Sequence, residues 1–125
     1  MNVSLRTPEM EEKYQEYLKQ PKEVKCCFCR EIVFRLANAT SAITREWKNW
    51  YLMSNDFPYD AVFSRHDLLF PKRHVPHGEL TLDEVDELKK ILEELSPEYH
   101  QLIENLGSRI SQPGHWHIHL CVFYV

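Results

Sequence analysis

Three histidines stand two residues apart at His115, His117 and His119, and three cysteines crowd together at Cys26, Cys27 and Cys29. Residues two apart on a β-strand share one face. Trp116, Ile118, Leu120 and Val122 then form an apolar row for the other face, so the pattern predicts a strand. On a helix His117 would point away from its two neighbours. On a flat strand the outer two histidines would be about 13 Å apart at Cα. Three ligands in such a line do not easily converge on one metal, whose bonds to nitrogen are about 2 Å long. An extended phosphoester suits the row better. A neutral imidazole carries a lone pair that can attack phosphorus. A second can donate hydrogen bonds to oxygens gaining charge, and a third can protonate the leaving group.

Cys26 and Cys29 form a Cys-x-x-Cys pair, the spacing at which two thiolates bind zinc, but a site needs two more ligands. The plainer reading is a pair of reduced thiols flanking Phe28 in the core. Cys27 and Cys121 read as small apolar fillers.

The chain has 125 residues, 43% hydrophobic and 27% charged, with a net charge of −4. That is an ordinary globular balance with no global attraction for nucleic acid or an anionic membrane. No apolar run is long enough to span a bilayer, and the first residues lack the apolar stretch of a secretory signal, so a cytoplasmic protein is expected.

The elements that must position these residues can be read in order. Met10, Tyr14 and Leu18 give a thin stripe on a short N-terminal helix that stops at Pro21 and carries no evident chemistry. Ile32 to Leu36 suggests a strand. Ala42–Glu46 and Trp50–Ser54 read as a hairpin turning at Lys48-Asn49, and Asp67–Phe70 as a further short strand closed by Pro71. Thr81-Leu-Asp-Glu84 is a capping box that opens a long helix through Leu82, Val85, Leu88, Ile91, Leu92 and Leu95. Ser96-Pro97 kinks this helix or caps a second one, with Tyr99, Leu102, Ile103 and Leu106 continuing the stripe to Gly107. The sum is an α+β domain with a mostly antiparallel sheet.

The row His115-Trp-His117-Ile-His119-Leu-Cys121 resembles the signature of the histidine triad (HIT) superfamily, three histidines alternating with apolar residues. Further segments fall in that family's order: the CCFC of residues 26–29, NDFPY at Asn55–Tyr59, PKRHV at Pro71–Val75 and NLGS at Asn105–Ser108. The resemblance runs from Cys26 to Phe123, which divides the chain into an N-terminal helical extension, 1–25, and a HIT-like domain, 26–125. It implies a sheet of about five antiparallel strands beside the long helix. It also implies a homodimer and hydrolysis or transfer of nucleoside monophosphates, from nucleoside phosphoramidates or dinucleoside polyphosphates.

Carried over by residue, the resemblance makes His117 the nucleophile, forming a covalent nucleotidyl-imidazole. His119 contacts the α-phosphate and assists the leaving group, His115 supports the site, and His74 stands behind it. Asn105 binds phosphate from its turn, and Ser111 or Gln112 reaches it from the loop before the triad. Asn55 or Asp56 accepts the ribose hydroxyls, with Phe57 against the base. The zinc site of some members implies that Cys26 and Cys29 are completed by His66 and His115, around a structural zinc; no catalytic metal is expected.

Two departures bear on substrate preference. Arg109–Gly114 replaces the usual Gly-Gly-Gln-Ser type of loop, with Pro113 removing a backbone donor, and the loop Asp60–Arg65 is longer than usual. A nucleotide- or protein-binding module with little turnover is therefore the first alternative. A metal-dependent enzyme using two triad histidines as ligands is the second.

Overall fold

The computed structural model describes residues 4–76 and 78–125; His77, to which no role was assigned, lies outside them. In chain order the elements are α1 (Pro8–Lys19), α2 (Cys27–Leu36), β1 (Ile43–Glu46), β2 (Trp50–Ser54), β3 (Phe63–Pro71), α3 (Leu82–Leu95), β4 (Gln101–Ile103) and β5 (Ile118–Phe123), with single 3₁₀ turns at Ser96–Glu98 and Gly107–Arg109. The five strands form one sheet in the order β1-β2-β3-β5-β4, and every adjacent pair is antiparallel.

Helices cover both faces, so the central strands are apolar on both. On one face α2 places Phe28 against Ile43, Tyr51, Met53, Leu68 and Phe70. On the other, Ile91 and Leu95 of α3 meet Trp50, Leu52, Leu69, Ile118 and Leu120. The capping box of α3 forms as expected, with Thr81 and Glu84 each bonded to the other's backbone N–H. Leu82 falls outside the expected stripe and is exposed. Lys72 and Arg73 are occupied by Glu46 and Glu84 respectively.

Three expectations are corrected. The segment Ile32–Leu36 belongs to helix α2, not to a strand. The Cys26 side chain caps the N-terminus by accepting from Cys29 N, and Phe28 and Ile32, four apart, face the core. The helix stops without glycine: Asn38 takes a left-handed φ of 58°, while Ala39 N bonds Phe34 O at 2.8 Å and Asn38 N bonds Arg35 O at 3.2 Å. The second correction concerns Tyr99–Leu106, which does not continue the long helix. Pro97 interrupts it, and residues 101–103 add to the free edge of β5, Leu102 opposite Leu120. Third, β3 is longer than the apolar run 67–70 and takes in His66.

Candidate functional site

β5 begins at Ile118, so only His119 of the three histidines lies on the strand, while His115 and His117 occupy the turn leading into it. That break in the row lets the three side chains part. All three are buried, on the sheet face covered by α2. Phe28 is the common wall: its ring centroid lies 4.6 Å from His117 and 5.3 Å from His115.

His115 turns toward the N-terminus of α2. Its Nδ1 lies 3.5 Å from Cys26 Sγ and 3.6 Å from Cys29 Sγ, and Cys29 Sγ lies 3.3 Å from Nδ1 of His74. The donor atoms of Cys26, Cys29, His74 and His115 all lie within 4.8 Å of one another. A tetrahedral metal with bonds of about 2.3 Å to sulfur and about 2.05 Å to nitrogen holds such atoms about 3.5 Å apart. Donor chemistry and spacing therefore both fit a four-coordinate metal centre. Nε2 of His115 lies 2.7 Å from the carbonyl of Pro71, which leaves Nδ1 as the ligand atom.

The fourth member is His74, not the expected His66. His66 sits inside β3 opposite Cys121, two residue pairs along the β3–β5 ladder from His119, which pairs with Leu68. Its Nε2 is 2.7 Å from His119 Nδ1, and its Nδ1 accepts the Tyr59 N–H at 3.0 Å. The PKRHV segment instead leaves β3 at Pro71 and returns His74 over the cysteines. His74 therefore stands beside His115 in the cysteine–histidine cluster, their ring centroids 5.2 Å apart. Close approach is permitted by Gly114, where a Cβ would lie 3.2 Å from His74 Nε2. His115 is the only triad residue in the cluster, so the donor set is not one built from two triad histidines.

His117 and His119 remain on the other side, lining a cavity of about 790 Å³. Their rings meet edge to face with centroids 5.3 Å apart. Nδ1 of His117 donates to the carbonyl of His115 at 3.0 Å, so the neutral ring keeps its lone pair on Nε2. Burial lowers the pKa of His117, an effect partly opposed by that carbonyl. Burial lowers His119 much further, helped by neighbouring His66. Both rings are therefore neutral at pH 7, and each keeps one nitrogen lone pair.

Asn55, Asp56, Phe57, Ser111 and Gln112 line the same cavity. The Asn55 amide is turned inward, its oxygen accepting Phe57 N–H and its nitrogen facing His66. Asp56 is pushed above the usual carboxylate value by partial burial and by Glu31. Asn105 lies beside the triad, its amide 2.9 Å from the Tyr59 hydroxyl and 3.3 Å from His119 Nε2. Gln112 Oε1 accepts the Cys27 N–H. Burial raises the Cys27 and Cys121 thiols to about 12, so both stay protonated; Cys121 is fully buried, while Cys27 is half-buried at the cavity wall.

The N-terminal segment supplies lining residues that its sequence did not announce. Tyr14 and Tyr17 of α1 pack on Phe57, with centroids 5.5 and 4.7 Å apart. The Arg30 guanidinium bonds the Tyr17 hydroxyl. Tyr59 stacks on His119 at 5.3 Å and 19°. For Tyr14 and Tyr17 the sequence signal was aromatic content on an otherwise polar helix, whereas Tyr59 ends the NDFPY segment.

No protein-family model and no curated protein matches this chain by sequence. Solved structures do match it. One is a HIT family hydrolase from Legionella pneumophila Philadelphia 1, 24% identical with a TM-score of 0.55 over 78% of this chain and 91% of that one. A histidine triad protein from Clostridium difficile is 20% identical, with a TM-score of 0.58 over 84% and 96%. A hypothetical histidine triad nucleotide-binding protein from Sulfolobus tokodaii strain 7 is 22% identical, with a TM-score of 0.60 over 79% and 69%. The fold of this chain is the histidine triad fold.

Proposed function

We propose that this protein is a HIT nucleotide hydrolase or transferase that attacks the α-phosphate of nucleoside phosphoramidates or dinucleoside polyphosphates. The observation that carries the reading is the state of His117: buried, neutral, held through Nδ1 by the His115 carbonyl and set beside His119 in a cavity of about 790 Å³. Nε2 of His117 attacks phosphorus and forms a P–N bond as the bond to the leaving group breaks. The leaving nitrogen or oxygen takes the ring proton of His119. Water then cleaves the P–N bond, its hydroxyl joining phosphorus and its other proton returning to the His119 ring, which releases the nucleoside monophosphate and restores both histidines. Neighbours described as HIT family hydrolases and as a histidine triad nucleotide-binding protein support the substrate class.

Cys26, Cys29, His74 and His115 hold a structural zinc in this reading. The metal's contribution is to tie the start of α2 to the turn before β5. The protein acts in the cytoplasm, and a second copy of the chain completes a homodimer.

The test is a single turnover with adenosine 5′-phosphoramidate or a diadenosine polyphosphate, quenched in alkali and read by intact mass. Added nucleoside monophosphate in the wild type, absent in His117→Ala, is the expected result. If the folded protein binds nucleotide yet gives neither adduct nor product, the chain is a binding module and the enzyme reading fails.

A further inference from the structure

The cavity beside His117 has a second, cationic end. Tyr59 stacks on His119, while Phe57, two residues earlier, packs on Tyr17. Tyr17 in turn carries two cations. Lys22 Nζ lies 4.1 Å from the ring centroid and donates to the Tyr17 and Gln20 carbonyls at 2.6 and 2.8 Å. The Arg30 guanidinium lies 5.4 Å from the same centroid and donates to the Tyr17 hydroxyl. Both residues line the cavity, as does Lys25.

None of these three cations forms an ion pair among the described residues. Two carboxylates that line the cavity are engaged elsewhere: Glu11 pairs with Arg6 at 3.3 Å, and Glu31 accepts the Ala42 N–H at 2.9 Å. An ammonium has three donors and a guanidinium five. Carbonyls take two from Lys22 and the hydroxyl takes one from Arg30, so donors and positive charge are left over. In a chain of net charge −4, that concentration of cations in one cavity marks a place for an anion. Asp56 indicates what carries the anion. Asn55 spends its side-chain oxygen on the Phe57 N–H, which leaves Asp56 to accept from a ribose. Arg30 and Glu31 both act on the Asp56 carboxylate. A carboxylate beside a guanidinium suits a ribose with one free and one phosphorylated hydroxyl: the carboxylate accepts from the hydroxyl, and the guanidinium fork takes the phosphate.

We propose that Arg30 and Lys22, with Lys25, form a second phosphate subsite, and that the substrates are nucleoside 5′-phosphoryl compounds bearing a further phosphate on the ribose 2′ or 3′ oxygen. The inference rests on the reading of His117 as the residue that meets the 5′ phosphorus. The ribose phosphate takes no part in bond making and stays on the product. Arg30 supplies a planar fork and Lys22 a point charge, and Tyr17 holds both without neutralising either.

Calorimetric titration of the intact chain with adenosine 3′,5′-bisphosphate, adenosine 2′,5′-bisphosphate and AMP tests the subsite without turnover. One bisphosphate should bind about tenfold tighter than AMP, and the isomer that gains identifies the hydroxyl. Arg30→Gln and Lys22→Gln, at positions that are not buried, should each pull that ratio toward one, with folding checked by circular dichroism. Equal binding of AMP and both bisphosphates overturns the proposal, as does a ratio that survives both substitutions. ATP is the control, because its extra charge lies on the 5′ side. If ATP gains as much as the bisphosphates and loses it in the same variants, the cations face the leaving group and the proposal falls. Adenosine 5′-phosphoramidate carrying the preferred ribose phosphate then reads the reaction, its KM lower than that of the parent compound by the same factor. A bisphosphate preference that is lost in Arg30→Gln, in a protein that gives neither adduct nor product from that substrate, leaves the subsite standing and sinks the proposed reaction instead.

Discussion

The main-chain carbonyl of His115 holds Nδ1 of His117 at 3.0 Å, while the ring of His115 reaches Cys26 and Cys29 at 3.5 and 3.6 Å. One residue thus belongs to the cysteine–histidine cluster through its side chain and to the proposed nucleophile through its backbone. Whatever fixes the His115 ring fixes the rotamer and tautomer of His117.

Metal loss and activity loss should therefore coincide. Chelation, or Cys29→Ser, is expected to abolish stoichiometric zinc and lower the thermal midpoint by about 10 °C, the equivalent of about 3 kcal/mol in a domain of this size. Turnover should fall in the same titration. Cys27→Ser, outside the cluster, should retain its zinc. Elemental analysis and calorimetry on the same samples decide this. A zinc-free variant with full activity would separate the two halves of His115.

Gly114 gives a finer probe of the same centre. Alanine there places a methyl 3.2 Å from His74 Nε2 and 3.6 Å from Cε1. The His74 ring must move by a few tenths of an ångström while its other edge faces Cys29. Gly114→Ala should weaken zinc binding about tenfold, the lower end of what perturbing a ligand's support costs. A competition titration with a zinc-sensitive dye measures it; unchanged affinity would show that the ring has room to give.

Acid should destabilise the fold well before its carboxylates titrate. His66 is lowered to about 4 by burial first and by Arg6 next, and His119 is lowered further. In the unfolded chain both protonate near 6.5, so the unfolded state binds more protons below that pH. The stability these rings contribute is complete above 6.5 and drains as pH falls toward the folded values. His66 alone removes about 2 kcal/mol by pH 5 and about 3 kcal/mol by pH 4. Urea unfolding at pH 7, 6 and 5 checks the slope, which should shrink markedly in His66→Gln.

Much of this was legible in the sequence because short-range patterns encode it. The capping box of Thr81 and Glu84 and the hairpin around Lys48-Asn49 appear where the residue types place them, whereas of the HxHxH row only His119 lies on the expected strand. What escaped is settled by partners distant in sequence. Ile32-Val33-Phe34 is β-branched and aromatic enough to read as strand, yet capping by Cys26 and burial of Phe28 make it helix. Leu102 and Leu106 keep helical spacing with Leu95, but β5 offers an unpaired edge and both side chains are exposed. His66 and His74 are eight residues apart on either side of Pro71. Only the register of β3 on β5 shows that the first belongs to His119 and the second to the cysteines.

The first helix shows the same dependence on distant partners, and it yields the last prediction. Pro8–Lys19 has no buried residue, yet Tyr17 packs its ring on Phe57 at 4.7 Å and bonds Arg30 through its hydroxyl. An aromatic pair of this kind contributes about 0.5–1.5 kcal/mol beyond the area it buries, which is about a 2- to 10-fold effect on a binding constant. Tyr17→Ala frees Phe57 and Arg30 at the cavity wall but leaves His117, His119 and their hydrogen bonds untouched. KM for the nucleotide should rise within that range while kcat holds. Tyr17→Phe, which keeps the ring and loses only the hydroxyl, should sit between. A fall in kcat with KM unchanged would place the effect of α1 on the triad through the Tyr59 loop, not on the wall that receives the substrate.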